Sequence, residues 1–108
     1  MPRLSTDDRA GAVFAALADP TRRAMLLALR VEPSTASRMA GELPITRQAV
    51  TKHLVALREA GLVEGHRQGR ETRYVLTPAP LAAAMEWMAE AGGVWDARLT
   101  RLAERASR

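Results

Sequence analysis

Pro44 stands between two short stretches that each carry helical apolar spacing, and no other feature limits the fold of this chain so sharply. Proline forces the residue before it out of helical geometry, so the stretch Ala36 to Leu43 must end there. Its inner face is Ala36, Met39, Ala40 and Leu43. Only Pro44-Ile45-Thr46 separates it from a second stretch, Arg47 to Ala60, in which Val50, Leu54 and Leu57 share one face. Thr35 and Thr46 stand where N-caps belong, because a hydroxyl there can accept from an unpaired N–H of the first turn. Gly61 supplies a left-handed stop. Two short helices must therefore meet across a tight turn.

Beyond Gly61 the period changes from helical to alternating. Leu62 to Arg67 and Glu71 to Leu76 read as short strands around the turn Gln68-Gly69-Arg70. Upstream, Ser5 or Thr6 can cap a first helix with Ala10, Val13, Phe14 and Leu17 on one side. Asp19-Pro20 caps and starts a second helix, from Pro20 to about Leu29, and Pro33 closes it. Pro78 and Pro80 lead into a last helix, from about Leu81 to Ala106. Its apolar positions Leu81, Met85, Met88, Gly92, Trp95, Leu99, Leu102 and Ala106 repeat in alternating steps of four and three, a heptad stripe. Gly92-Gly93 weakens it, and spacing leaves open either a bend or a close approach of another helix.

With 108 residues there is room for one domain. The expected architecture over 1–108 is mainly α with a small β-hairpin wing: a helix-turn-helix at about 36–60, the wing at about 62–76 and a C-terminal helix at about 81–106. Aromatics make up only 4%, so the core must come from Leu, Val, Met and Ala. A domain of this size buries only about 65% of its unfolded surface. The heptad stripe also exceeds what a small core can cover, so a second copy of the chain is the economical partner. That predicts a homodimer through the first and last helices, using Val13, Phe14, Leu17, Leu81, Met85, Met88, Trp95, Leu99 and Leu102.

The absence of cysteine excludes disulfides, thiolate metal sites and thiol catalysis. The longest apolar run, Ala10 to Ala18, is too short for a membrane span, and Met1-Pro2-Arg3 lacks a signal peptide's plan. A cytoplasmic protein without membrane contact is expected. The four serines and two histidines give no activated nucleophile, and Gly61, Gly65 and Gly69 do not form a phosphate-binding loop. Glu86 and Glu90, one helical turn apart near Trp87, read as solvated carboxylates. No enzyme activity, cofactor or metal set is expected.

Net charge is +4, with a pI of about 10.9, and this points to a polyanionic partner. Fifteen of the sixteen basic residues are Arg, the exception being Lys52. The second helix of a helix-turn-helix sets its N-terminal residues in a DNA major groove. With Val50, Leu54 and Leu57 inward, the exposed residues there are Arg47, Gln48, Thr51 and Lys52. Arg suits guanine, Gln adenine and Thr either, while Lys suits phosphate. On the hairpin, Arg67, Arg70 and Arg73 fit phosphates beside that helix, although Arg67 and Arg73 could instead pair with Glu71 and Glu64. Tyr74 should face the core and His66 solvent. Structured RNA is disfavoured because this surface lacks stacking aromatics. A winged module that binds another protein is the alternative, but it should be apolar where this chain has Arg47, Gln48, Thr51 and Lys52.

The stretch from Phe14 to Arg23, Phe-Ala-Ala-Leu-Ala-Asp-Pro-Thr-Arg-Arg, resembles the opening of ArsR-type bacterial transcription repressors. Arg47 to Leu54, then Ala60-Gly61-Leu62-Val63, Gly69-Arg70 and Tyr74-Val75-Leu76, resemble their recognition helix and wing. The resemblance covers nearly the whole chain. It implies a homodimeric winged helix-turn-helix repressor of an inverted-repeat operator, released by a small-molecule or protein effector or by modification of a sensor site. It also implies a place near phosphate for His53, where the residue pattern alone allows core packing equally. The family's metal sensors commonly carry a cysteine pair where this chain has Thr35 and Ser37. Others place Asp, His and Glu on the last helix, where this chain has Pro78-Ala79-Pro80, Ala91 and Val94. Trp95-Asp96-Ala97-Arg98-Leu99 is similar to a cysteine-free branch without a known metal site in that motif.

Overall fold

A computed structural model describes residues 6–107. Ser5, one of the two candidate caps, and Met1-Pro2-Arg3 lie outside the described residues. The order of elements is α1 (Thr6–Leu17), α2 (Pro20–Val31), β1 (Ser34–Thr35), α3 (Ala36–Glu42), α4 (Arg47–Glu59), β2 (Val63–Gln68), β3 (Glu71–Leu76) and α5 (Ala79–Ala106). Among the described residues, no helix is long and apolar enough to cross a membrane.

The stops and caps act through the atoms expected of them. Asp19, extended at φ −90°, accepts from the N–H of Arg22 at 2.9 Å, and Pro20 opens α2. Thr35 accepts from Arg38 N and Thr46 from Ala49 N, each at 3.1 Å. Gly61 ends the α4 segment at φ 77°, a conformation a side chain would strain. The corner between α1 and α2 is clamped by two arginines. Arg22 Nε donates to Ala16 O at 2.6 Å, and Arg23 Nη1 to Leu17 O at 2.7 Å. These guanidiniums satisfy carbonyls that α1 leaves unpaired at its end, and they set positive charge against the negative end of its dipole.

The core lies between α1, α2, α4 and the start of α5, with Val13, Met25, Leu29, Met39, Val50, Leu54, Leu57 and Leu62 all but inaccessible. One expectation needs correction, one is extended and one open question is answered. Val13 is fully buried in this core, so it has no surface to lend a partner; Leu17 and Leu81 also pack against it and keep only part of theirs. The hairpin is part of a three-stranded antiparallel sheet of order β1-β3-β2, in which β1 pairs Ser34 with Tyr74 and Thr35 with Arg73. Two residues between Pro33 and a helix cap are too few to show a strand period. Finally, α5 starts at Ala79 and runs unbroken through Gly92-Gly93, with nothing within 4 Å of a side chain added at either glycine.

Candidate nucleic-acid interface

Helix α4 stands on Val50, Leu54 and Leu57, each wholly buried, and this fixes which residues point outward. Arg47, Gln48, Thr51 and Lys52 are exposed on its first two turns. Thr51 Oγ1 donates to the Arg47 carbonyl at 3.0 Å, so its proton is committed to the helix. Among the described residues, no carboxylate lies within ion-pair distance of Arg47, Lys52, Arg70 or Arg73. Three arginines elsewhere are spoken for. Arg22 and Arg23 bind the end of α1, and Arg38 pairs with Glu32 and with Glu42. The Glu32 carboxylate holds the Arg38 guanidinium still more firmly charged.

The sheet register sorts the arginines of the wing. Arg67 lies opposite Thr72, and Arg73 opposite His66, so neither faces the carboxylates that could have claimed it. Glu64 lies 3.6 Å from His66 on its own strand, and both are exposed. Arg67 Nε donates to Gly69 O at 3.0 Å, which folds its stem back over the turn. Gly69 itself sits at φ 62°, as a two-residue hairpin loop requires. Tyr74 packs against the core and is half-buried.

The structure brings Arg47 and Thr51 of α4 together with Arg67 and Arg70 of the wing around one cleft of about 190 Å³. Gln48 and Lys52 lie exposed on the same helix outside that cleft, as does Arg73 on β3. His53 is not part of the group. It is half-buried, and its Nδ1 lies 3.9 Å from the Asp19 carboxylate at the start of α2. That carboxylate is held below the usual range, first by the N–H of Arg22 and then, against the opposing cost of burial, by the neighbouring His53. Thr35, Ser37 and Thr72 also line the cleft and were not among the expected DNA contacts.

A helix-turn-helix domain model matches residues 17–66. The HTH-type transcriptional regulator CmtR of Mycobacterium tuberculosis is 38% identical over 92 residues, spanning 85% of this chain and 78% of that protein. The transcriptional repressor SdpR of Bacillus subtilis is 34% identical over 76 residues, covering 70% of this chain and 84% of its own. Among solved structures, an ArsR-like transcriptional regulator from Rhodococcus superposes with a TM-score of 0.77 at 40% identity, covering 95% of this chain and 97% of that one.

The chain belongs to the ArsR-type family of helix-turn-helix transcriptional regulators.

An ArsR-type regulator is a DNA-binding protein and not an enzyme, and the exposed polar start of α4 accords with that class. Parts of the resemblance also have a physical account in this fold. Asp19 through Arg23 form the cap and the two clamps of the α1–α2 corner, and Gly69-Arg70 forms the tip of the wing.

Proposed function

We propose that this ArsR-type regulator is a homodimeric repressor of an inverted-repeat operator, each subunit placing α4 in one of two successive major grooves. The observation that carries the DNA reading is the row Arg47, Gln48, Thr51 and Lys52, unpaired with carboxylates and adjoining the wing arginines across one cleft. A module for protein docking would present apolar side chains there. Gln48 and Arg47 are assigned to base edges, and Lys52 and Arg70 to phosphates. Dimerisation is supported by the exposed side chains along α5, with Met85, Met88, Trp95, Leu99 and Leu102 in the stripe and Phe14 of α1 beside it. Phe14 meets Trp87 edge-on at 5.5 Å, extending an apolar surface across both helices. Two-fold symmetry then sets half-sites about one helical turn, or a small multiple, apart. The SdpR relative carries the name repressor, which favours repression here.

Genomic fragments retained by the purified protein, followed by footprinting, test this reading. A protected inverted repeat is the expected result. Retention of no fragment, or protection of a single unrepeated site by a monomer, would overturn it.

A further inference from the structure

The cleft between α4 and the wing has a third wall, the start of α3, to which base and phosphate contacts from α4 and the wing assign no role. Strand β1 pairs Thr35 with Arg73 and so holds the first residues of α3 against the wing. Three guanidiniums line the cleft, those of Arg47, Arg67 and Arg70, against the single carboxylate of Glu71. Its hydroxyls are not equivalent. Thr35 Oγ1 accepts from the Arg38 N–H and keeps its own proton, Thr51 Oγ1 donates to the Arg47 carbonyl, and the Thr72 hydroxyl has no partner among the described residues. Ser37 is exposed, and among the described residues its hydroxyl has no partner. Arg67 is anchored through Nε alone, which leaves both terminal nitrogens uncommitted.

We propose that this cleft seats one DNA backbone phosphate, with Ser37 Oγ donating to a phosphate oxygen and Arg67 and Arg70 supplying the charge. The proposal rests on the DNA-binding reading and adds to it a positioning residue on the helix before α4. Guanidiniums and a free hydroxyl are the donors an oxyanion needs. The volume of about 190 Å³ is roughly that of six waters, room for a phosphate group together with bound water. The position selects the backbone over a free phosphate. When a recognition helix lies in the major groove, the phosphate ridge beside it passes toward the wing, and the preceding helix crosses that ridge.

The test uses the full chain with a footprinted fragment and with random-sequence duplexes, comparing Ser37→Ala, Ser37→Asp and Ser37→Thr. Ser37→Ala is expected to weaken binding about fivefold on every sequence alike, the loss of one neutral hydrogen bond, with an unchanged salt slope. Ser37→Thr should restore it. Ser37→Asp sets a carboxylate where the phosphate sits and should weaken binding by roughly a hundredfold or more while circular dichroism stays native. A Ser37→Asp protein that binds like wild type, while Arg47→Ala and Gln48→Ala lose affinity, would overturn the seat and leave the DNA reading standing. A wild type that binds no duplex overturns both. Titration with inorganic phosphate at constant ionic strength separates the sources. Unsaturated change at the Ser37 amide into the millimolar range is expected, and saturation at micromolar phosphate would assign the cleft to a free ligand instead.

Discussion

Gln48 and Arg70 are both exposed polar residues at the proposed interface, yet they should fail in different ways. Gln48→Ala should cost about 1–3 kcal/mol on the cognate site and relax preference at one position per half-site. Arg70→Ala should weaken all sequences alike and lower the salt slope by roughly one for each phosphate left without its guanidinium. Binding isotherms at several salt concentrations, on cognate and scrambled duplexes, separate the two; equal salt shifts with intact specificity in both variants would refute the roles. Asp19 adds a pH dependence. Its folded pKa is depressed, chiefly by the Arg22 N–H, so it stabilises the fold above the ordinary carboxylate pKa of 3.8. That contribution fades as pH falls below 3.8 toward the folded value. Asn can cap equally well without a charge. Urea titrations should therefore find Asp19→Asn less stable than wild type at neutral pH, with the gap closing in acid; a constant gap would remove the charge from the account. Thr35 and Ser37 carry hydroxyls where the family's metal sensors have thiols, and hydroxyls hold soft metals poorly. Zn²⁺, Cd²⁺ and arsenite are accordingly expected to leave operator affinity unchanged. A tenfold loss at micromolar metal, reversed by chelator, would reveal a site built some other way.

At the scale of elements, most of the fold was legible because its boundaries are written in residues with one dominant local effect. Asp19, Thr35, Thr46, Gly61 and Gly69 each do in the structure what their chemistry demands. The inward faces of α3 and α4 follow from spacing alone. Strand β1 did not, since two residues cannot display a period and its pairing with Tyr74 and Arg73 is a tertiary event. The same gap hid Ser37, which reaches the cleft only because β1 ties α3 to the wing. Val13 was misread for a related reason: on a short helix, an apolar residue facing the chain's own core has the same spacing as one facing a partner. The glycine pair in α5 could not be resolved from spacing, and its continuity now makes a prediction possible. With open space around Gly93, Gly93→Ala should stabilise the protein by about 0.5–1 kcal/mol, the helix-propensity difference. Thermal unfolding measures this. A loss of stability would place Gly93 where helices of two subunits meet.

Taken whole, the chain is too extended for its length. Its radius of gyration is 18.3 Å, where a compact chain of this size has about 13 Å. The excess comes from α5, whose 28 residues span about 42 Å. The first part of that helix lies along α1 and shares the core through Ala84. The remainder carries Trp95, Leu99 and Leu102 at 62%, 59% and 58% exposure, with the Arg98 guanidinium set over the Trp95 ring, at 5.4 Å. Apolar side chains at heptad spacing on a projecting helix remain costly until another surface covers them, and the same stripe on a second copy is complementary to them by symmetry. Burying a leucine contributes roughly 1.5–3 kcal/mol, and a charge buried there instead would go unpaired. Leu99→Arg should therefore disrupt the proposed dimer while leaving the winged core folded, because Leu99 lies outside the buried cluster. Loss of the dimer also removes the second half-site, so operator affinity should fall much further than the stability of the subunit does. Sedimentation of wild type and Leu99→Arg, beside their operator isotherms and unfolding curves, measures all three quantities. A monomeric wild type, or a Leu99→Arg protein that remains dimeric with full affinity, would rule out this assembly.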